Sequence, residues 1–166
     1  MILLVGAALS AEPEATTTSV DEAGNVEVRC FVPQSEAQVR AALADPLKAA
    51  MLPPEVLSVK QVGGMNASSC VTLGVTVKGA WDPLSYTAMR CPTAKGFKYH
   101  LLQSESITSY EAEWAVAPHA GGGTDVTYRV RTNVDLPVPQ ALIRKGVLQS
   151  AKDTVLRLVT RITGAR

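Results

Sequence analysis

GGGTDVTYRVRTNVDLPVPQALIRKGVLQSAKDTVLRLVTRIT, residues 121–163, decides the architecture. Val126, Tyr128 and Val130 alternate with Asp125, Arg129 and Arg131, the period of a half-buried strand. Gly121-Gly122-Gly123 join this strand to SYEAEWAV (109–116) as a hairpin connection. No helix follows the glycines directly, so they read as a turn and not a phosphate loop. Val138-Pro139 suits a helix entry, because proline is tolerated in a first turn. From about Pro139 to Thr163, Ile143, Val147, Ala151, Val155, Leu158 and Ile162 recur at steps of three and four, and Gly164 closes the run. A long helix with one apolar side must cover the apolar face of a sheet.

Working back from this segment, short strands precede it at regular spacing. FKYHLL (97–102), LSYTAMRC (84–91), CVTLGVTV (70–77) and residues 56–62 read as strands, and Val26 to Val32 as another. Between the last two lies SEAQVRAALADP, a helix capped by Ser35 and stopped at Asp45-Pro46, with a further turn over Leu47 to Leu52. Short connections imply an antiparallel meander. The expected fold is therefore α+β: about seven strands wrapped on a C-terminal helix, with two short helices after the first strand.

Strand alternation assigns the faces. All four tyrosines, Tyr86, Tyr99, Tyr110 and Tyr128, point inward together with Trp114 and Arg90. Lys98, His100, Glu111, Glu113, Arg129 and Arg131 point outward. Four phenols and a guanidinium suit a pocket with a few polar handles; the plainer alternative is a filled core whose tyrosines reach the rim. Gly146 in the helix stripe leaves room beside the sheet, or marks close packing. Arg90 could meet a ligand carboxylate or phosphate, or lie at an edge with its head in water. Trp81 at a hairpin tip and Met51-Leu52 would either gate the pocket or pack ordinarily.

Acid–base catalysis in such a pocket needs an inward histidine or acid. His100 alternates outward, His119 sits in a loop, and no strand acid falls on the inner face. The chain holds no nucleophile elbow, Walker loop or metal-ligand cluster. No catalytic residue, cofactor or metal is expected. A net charge of +1 over 166 residues calls for no nucleic acid. The late bases Arg144, Lys145, Lys152, Arg157, Arg161 and Arg166 read as a solvated helix face, or as a surface for transient contact with anionic lipid.

Cys70 and Cys91 fall opposite each other in a symmetric hairpin register, which allows a disulfide, while Cys30 reads as a small buried thiol. MILLVGAALSA, residues 1–11, resembles the apolar part of a secretory signal, though no Lys or Arg precedes it. Export to the periplasm or the exterior is expected, with the cytoplasm as the alternative. Residues 1–24 read as signal remnant and flexible lead-in.

The element order, the GGGTDVTYRV hairpin and the LPVPQALIRKGVLQSAKDTVLRL tail resemble the START-related, Bet v 1-like (SRPBCC) helix-grip domains. These include polyketide cyclase/dehydratase-like and coenzyme Q-binding-like proteins. The resemblance covers roughly Val26 to Ile162. It implies a ligand-binding domain over residues 25–166, with a hydrophobic cavity between sheet and helix for a lipid, quinone, sterol or polyketide. The expected lining is Tyr86, Arg90, Tyr99, Tyr110, Trp114, Tyr128, Ile143, Gly146 and Val147. Non-catalytic binding or transport is the leading expectation. A cyclase or dehydratase, and a peripheral membrane module using the basic helix, are the alternatives.

Overall fold

A computed structural model describes residues 16–164. In chain order the elements are β1 (Thr17–Val20), β2 (Val26–Val32), α1 (Glu36–Ala44), α2 (Pro46–Ala50), β3 (Val56–Gly63) and β4 (Val71–Val77). They continue with β5 (Leu84–Pro92), β6 (Gly96–Ser104), β7 (Ile107–Pro118), β8 (Thr124–Val134) and α3 (Gln140–Thr163). One eight-stranded sheet runs β1-β2-β8-β7-β6-β5-β4-β3, antiparallel throughout. The α+β helix-grip reading holds, with eight strands where about seven were expected. The added strand is β1, which pairs Thr17 with Arg29 through Val20 with Val26. Residues 17–20 therefore belong to the sheet and not to a flexible lead-in. The signal-like segment, residues 1–11, lies outside the described residues.

Local chemistry explains the element boundaries. At the start of α1, Gln38 N donates to Ser35 Oγ while Ser35 N donates to Gln38 Oε1 at 3.0 Å, a reciprocal cap. Asp45 ends α1 and begins α2, where its Oδ1 accepts from Leu47 N at 3.0 Å and Lys48 N at 3.3 Å. Gly123 must be glycine: its φ is +85°, and a Cβ there would stand 2.6 Å from the Val32 carbonyl oxygen. The next residue, Thr124, donates its hydroxyl to Gln34 O at 2.8 Å. These two contacts lock the β8 entrance against the end of β2.

Alternation is clearest in β4 and β2. Val71, Leu73, Val75 and Val77 of β4 are all buried, and their neighbours are half-buried. Val26, Val28, Cys30 and Val32 of β2 follow the same rule. Burial pushes the Cys30 thiol up to about 11, with the Asp125 charge adding to it, so Cys30 is an inert core residue. On the outer face Glu27 accepts from Arg29 and Arg129, and Arg129 and Lys98 both reach Glu113. Such exposed pairs contribute little each.

α3 packs over β2 and β8 through Ala151, Val155 and Leu158, each 1% exposed. Cys70 and Cys91 are joined by a disulfide, with Cα atoms 4.2 Å apart beside the Val71–Arg90 pair. Cys70 is buried although it directly precedes the buried Val71, a break in strict alternation. The Asn66 side chain folds the preceding turn over it, accepting from Ser68 N at 2.9 Å and Cys70 N at 3.0 Å.

Candidate ligand-binding site

Two spaces lie against the inner face of the sheet, one under α2 and one under α3. The deep part is a hollow of about 20 Å³ lined by Leu73, Ala88, Tyr99, Ala112 and Trp114, with Ala49 and Ala50 of α2 above. It holds about one water molecule and no more. The outer part is a cavity of about 340 Å³ lined by Val56, Val77, Val130, Thr132, Leu142, Ile143, Gly146 and Val147. That size lies within the range of small-molecule sites. Tyr86, Tyr110, Tyr128 and Pro53 border both spaces, so the phenol layer is the floor of the outer cavity and the roof of the deep one.

The phenols are packed as a group. The Tyr86 and Tyr110 ring centroids are 5.3 Å apart, and Tyr128 sits 4.4 Å from Trp114. Burial raises all four tyrosine pKa values, and the charge of Glu55 adds to this at Tyr86, Tyr110 and Tyr128. These phenols stay neutral and offer hydroxyl donors, not bases.

Glu55 was not anticipated. It lies in the turn between α2 and β3 and lines the outer cavity. Ser150 Oγ of α3 donates to its two carboxylate oxygens at 2.7 and 2.8 Å. Its own carbonyl accepts from Lys78 N at 2.8 Å. The pair thus ties the helix to the sheet edge at the cavity's side. Ser150 was legible by spacing, since it lies three and four residues beyond Val147 and Gly146 and shares their face. Glu55 follows a Pro-Pro break, where strand alternation has no hold.

Other expected lining residues fall differently. Ile143, Gly146 and Val147 line the outer cavity with Tyr86, Tyr110 and Tyr128, whereas Tyr99 and Trp114 line the deep hollow and not the outer cavity. Arg90 lines neither. It is 6% exposed, donates Nε to the Tyr99 hydroxyl at 3.0 Å and its NH2 to the Leu43 carbonyl, and stacks 3.7 Å over Phe97. Its guanidinium pins α1 to the sheet and is not free for a ligand anion. Trp81 is 75% exposed, Met51 is 37% exposed and Leu52 is in the core, and none of the three lines the cavity. His100 is exposed on the outer face, and the His119 ring bonds Asp125 at 2.9 Å in the β7–β8 turn.

Larger hollows, of about 630 and 740 Å³, lie on the outer face of the sheet. Paired charges line the first and Ser, Thr and Lys side chains much of the second, and both are open to solvent. The cavity beside α3, with aliphatic walls and convergent phenols, is the better site. Among the described residues no group of acids, histidines and cysteines could hold a metal ion, and no helix is long and apolar enough to cross a membrane.

Sheet, long helix and intervening cavity together define a helix-grip domain of the START-related class. Residues 23–163 match the family described as polyketide cyclase/dehydrase and lipid transport, and the chain belongs to that family. Among solved structures, a START superfamily protein from Mycobacterium smegmatis is similar over 86% of this chain and 99% of its own, with 17% identity and a TM-score of 0.72. A STAR-related lipid transfer protein from Xanthomonas axonopodis matches over 89% and 98%, with 15% identity and a TM-score of 0.63. The Zhui aromatase/cyclase from Streptomyces matches over 84% and 91%, with 16% identity and a TM-score of 0.61. At these identities the likeness speaks for the fold. No curated protein matches the chain by sequence.

Proposed function

We propose that the chain binds and carries a small, mainly apolar molecule in the outer cavity without transforming it. The observation that carries this is the cavity's make-up: aliphatic walls from β3, β4, β8 and α3 over a floor of three neutral phenols. Such a lining buries an apolar body and orients one polar group. No histidine lines it, and its one carboxylate is engaged by Ser150. The test is titration with Nile red, a neutral solvatochromic dye. Saturable binding with a blue-shifted emission, competed by decanol recovered unchanged, supports the reading. Absence of saturable binding contradicts it.

Glu55 favours a second reading, cyclase- or dehydratase-type chemistry. An acid beside three phenols could take a proton next to a carbonyl that the phenols polarise. Incubation with a soluble poly-β-carbonyl compound decides the point: product formation lost in Glu55→Gln supports catalysis, and unchanged substrate supports carriage.

For the compartment, the Cys70–Cys91 disulfide supports export, since such bonds persist outside the reducing cytosol. Of the three cysteines only Cys30 is then free. Thiol counting on denatured, unreduced protein from its native host should find one thiol per chain; three would place it in a reducing compartment.

A further inference from the structure

The outer cavity is apolar but not electrically neutral. Glu55 is its one charged lining residue, and no Lys, Arg or His lines it. The cation expected there, Arg90, is held by Leu43, Tyr99 and Phe97. Of the bases that begin α3, Lys145 is exposed, and Arg144 turns toward the β1–β2 loop, its Nε 3.8 Å from where a Gly24 Cβ would stand. Nothing on the wall offers to neutralise a ligand anion.

Building on the carrier reading, we infer that this cavity selects its ligand by charge: it takes neutral or cationic amphiphiles whose polar end carries a hydroxyl or ammonium donor, and excludes carboxylate and phosphate amphiphiles. A carboxylate has about four acceptor positions, and Ser150 supplies only one donor proton. The remaining positions suit a donor on the ligand. The protonated phenols beside Glu55 can donate to the ligand's oxygen. A ligand hydroxyl therefore satisfies both sets of groups at once. An anionic head would face the Glu55 carboxylate with no cation on the wall between them, and like charges at such range repel.

Three probes of equal chain length separate these cases: decanol, decanoate and decylamine, each displacing Nile red at pH about 8, where the acid is ionised and the amine charged. The wild-type protein should bind decanol at least about tenfold more tightly than decanoate, and decylamine should compete as well. Glu55→Gln, which still accepts from Ser150, should bring decanoate within about threefold of decanol and weaken decylamine. Ser150→Ala removes the hydrogen bond but keeps the charge, so the preference against decanoate should persist. Equal affinity for decanol and decanoate in the wild type, or a ratio unchanged by Glu55→Gln, overturns the charge selection and leaves the carrier reading standing. If none of the probes displaces the dye, the carrier reading itself falls.

Discussion

The two halves of α3 do different work. From Ala151 to Val159 the helix is set into the core, with Ala151, Val155 and Leu158 each 1% exposed. From Leu142 to Val147 it stands off the sheet: Leu142 is 58% exposed, and a Cβ on Gly146 would meet nothing within 4 Å. The sequence stripe is continuous across both halves, so periodicity alone does not distinguish a packed turn from one roofing a cavity. The second half supplies the grip. The first half, where only Val147 packs against the core, can then leave Leu142 and Ile143 over the outer cavity.

This contrast can be broken most forcefully in the packed half. Leu158→Ala should cost about 2–5 kcal/mol in chemical denaturation, the usual range for a buried leucine. Leu142→Ala should stay within about 0.5 kcal/mol. Equal losses would mean that the whole helix is load-sharing.

The phenol layer beneath α3 provides the next test. The unfolded chain releases phenol protons near pH 10, while Tyr99 and Tyr128, buried and with raised pKa values, keep theirs. The unfolded state then binds fewer protons, so stability falls as pH rises above about 10, by roughly 1.4 kcal/mol per pH unit for each phenol. Below that pH these groups leave stability unchanged. Denaturant midpoints across alkaline pH check the slope, and the tyrosinate absorbance should appear only with unfolding.

Two smaller effects concern the open half. Val147→Trp should fill the outer cavity and weaken Nile red binding by about tenfold, with little change in melting temperature. Gly146→Ala should stabilise the protein by up to about 1 kcal/mol, because the position is helical and the added methyl meets open space. A destabilised Gly146→Ala protein would show that the helix sits closer to the sheet than described.

Much of the fold was legible because its signals are periodic. Val71, Leu73, Val75 and Val77 alternate cleanly, all four tyrosines point inward, and the caps at Ser35 and Asp45 are local chemistry. β1 was not legible: its four residues are all exposed, so no buried period marks it. The site was legible in part. Alternation gives the face of Arg90 but not its reach, and its long side chain extends to the Leu43 carbonyl of α1. Glu55 lies in a turn, and only the return of α3 brings Ser150 to it across 95 residues of sequence.

Hydrogen exchange along α3, with and without decanol, tests the central claim most directly. Without ligand, residues 142–147 should exchange faster than residues 151–159. With saturating decanol, the first half should slow markedly while the second half stays as it was. Uniform exchange along the helix, or no ligand-induced protection over residues 142–147, would contradict a cavity roofed by the open half of α3.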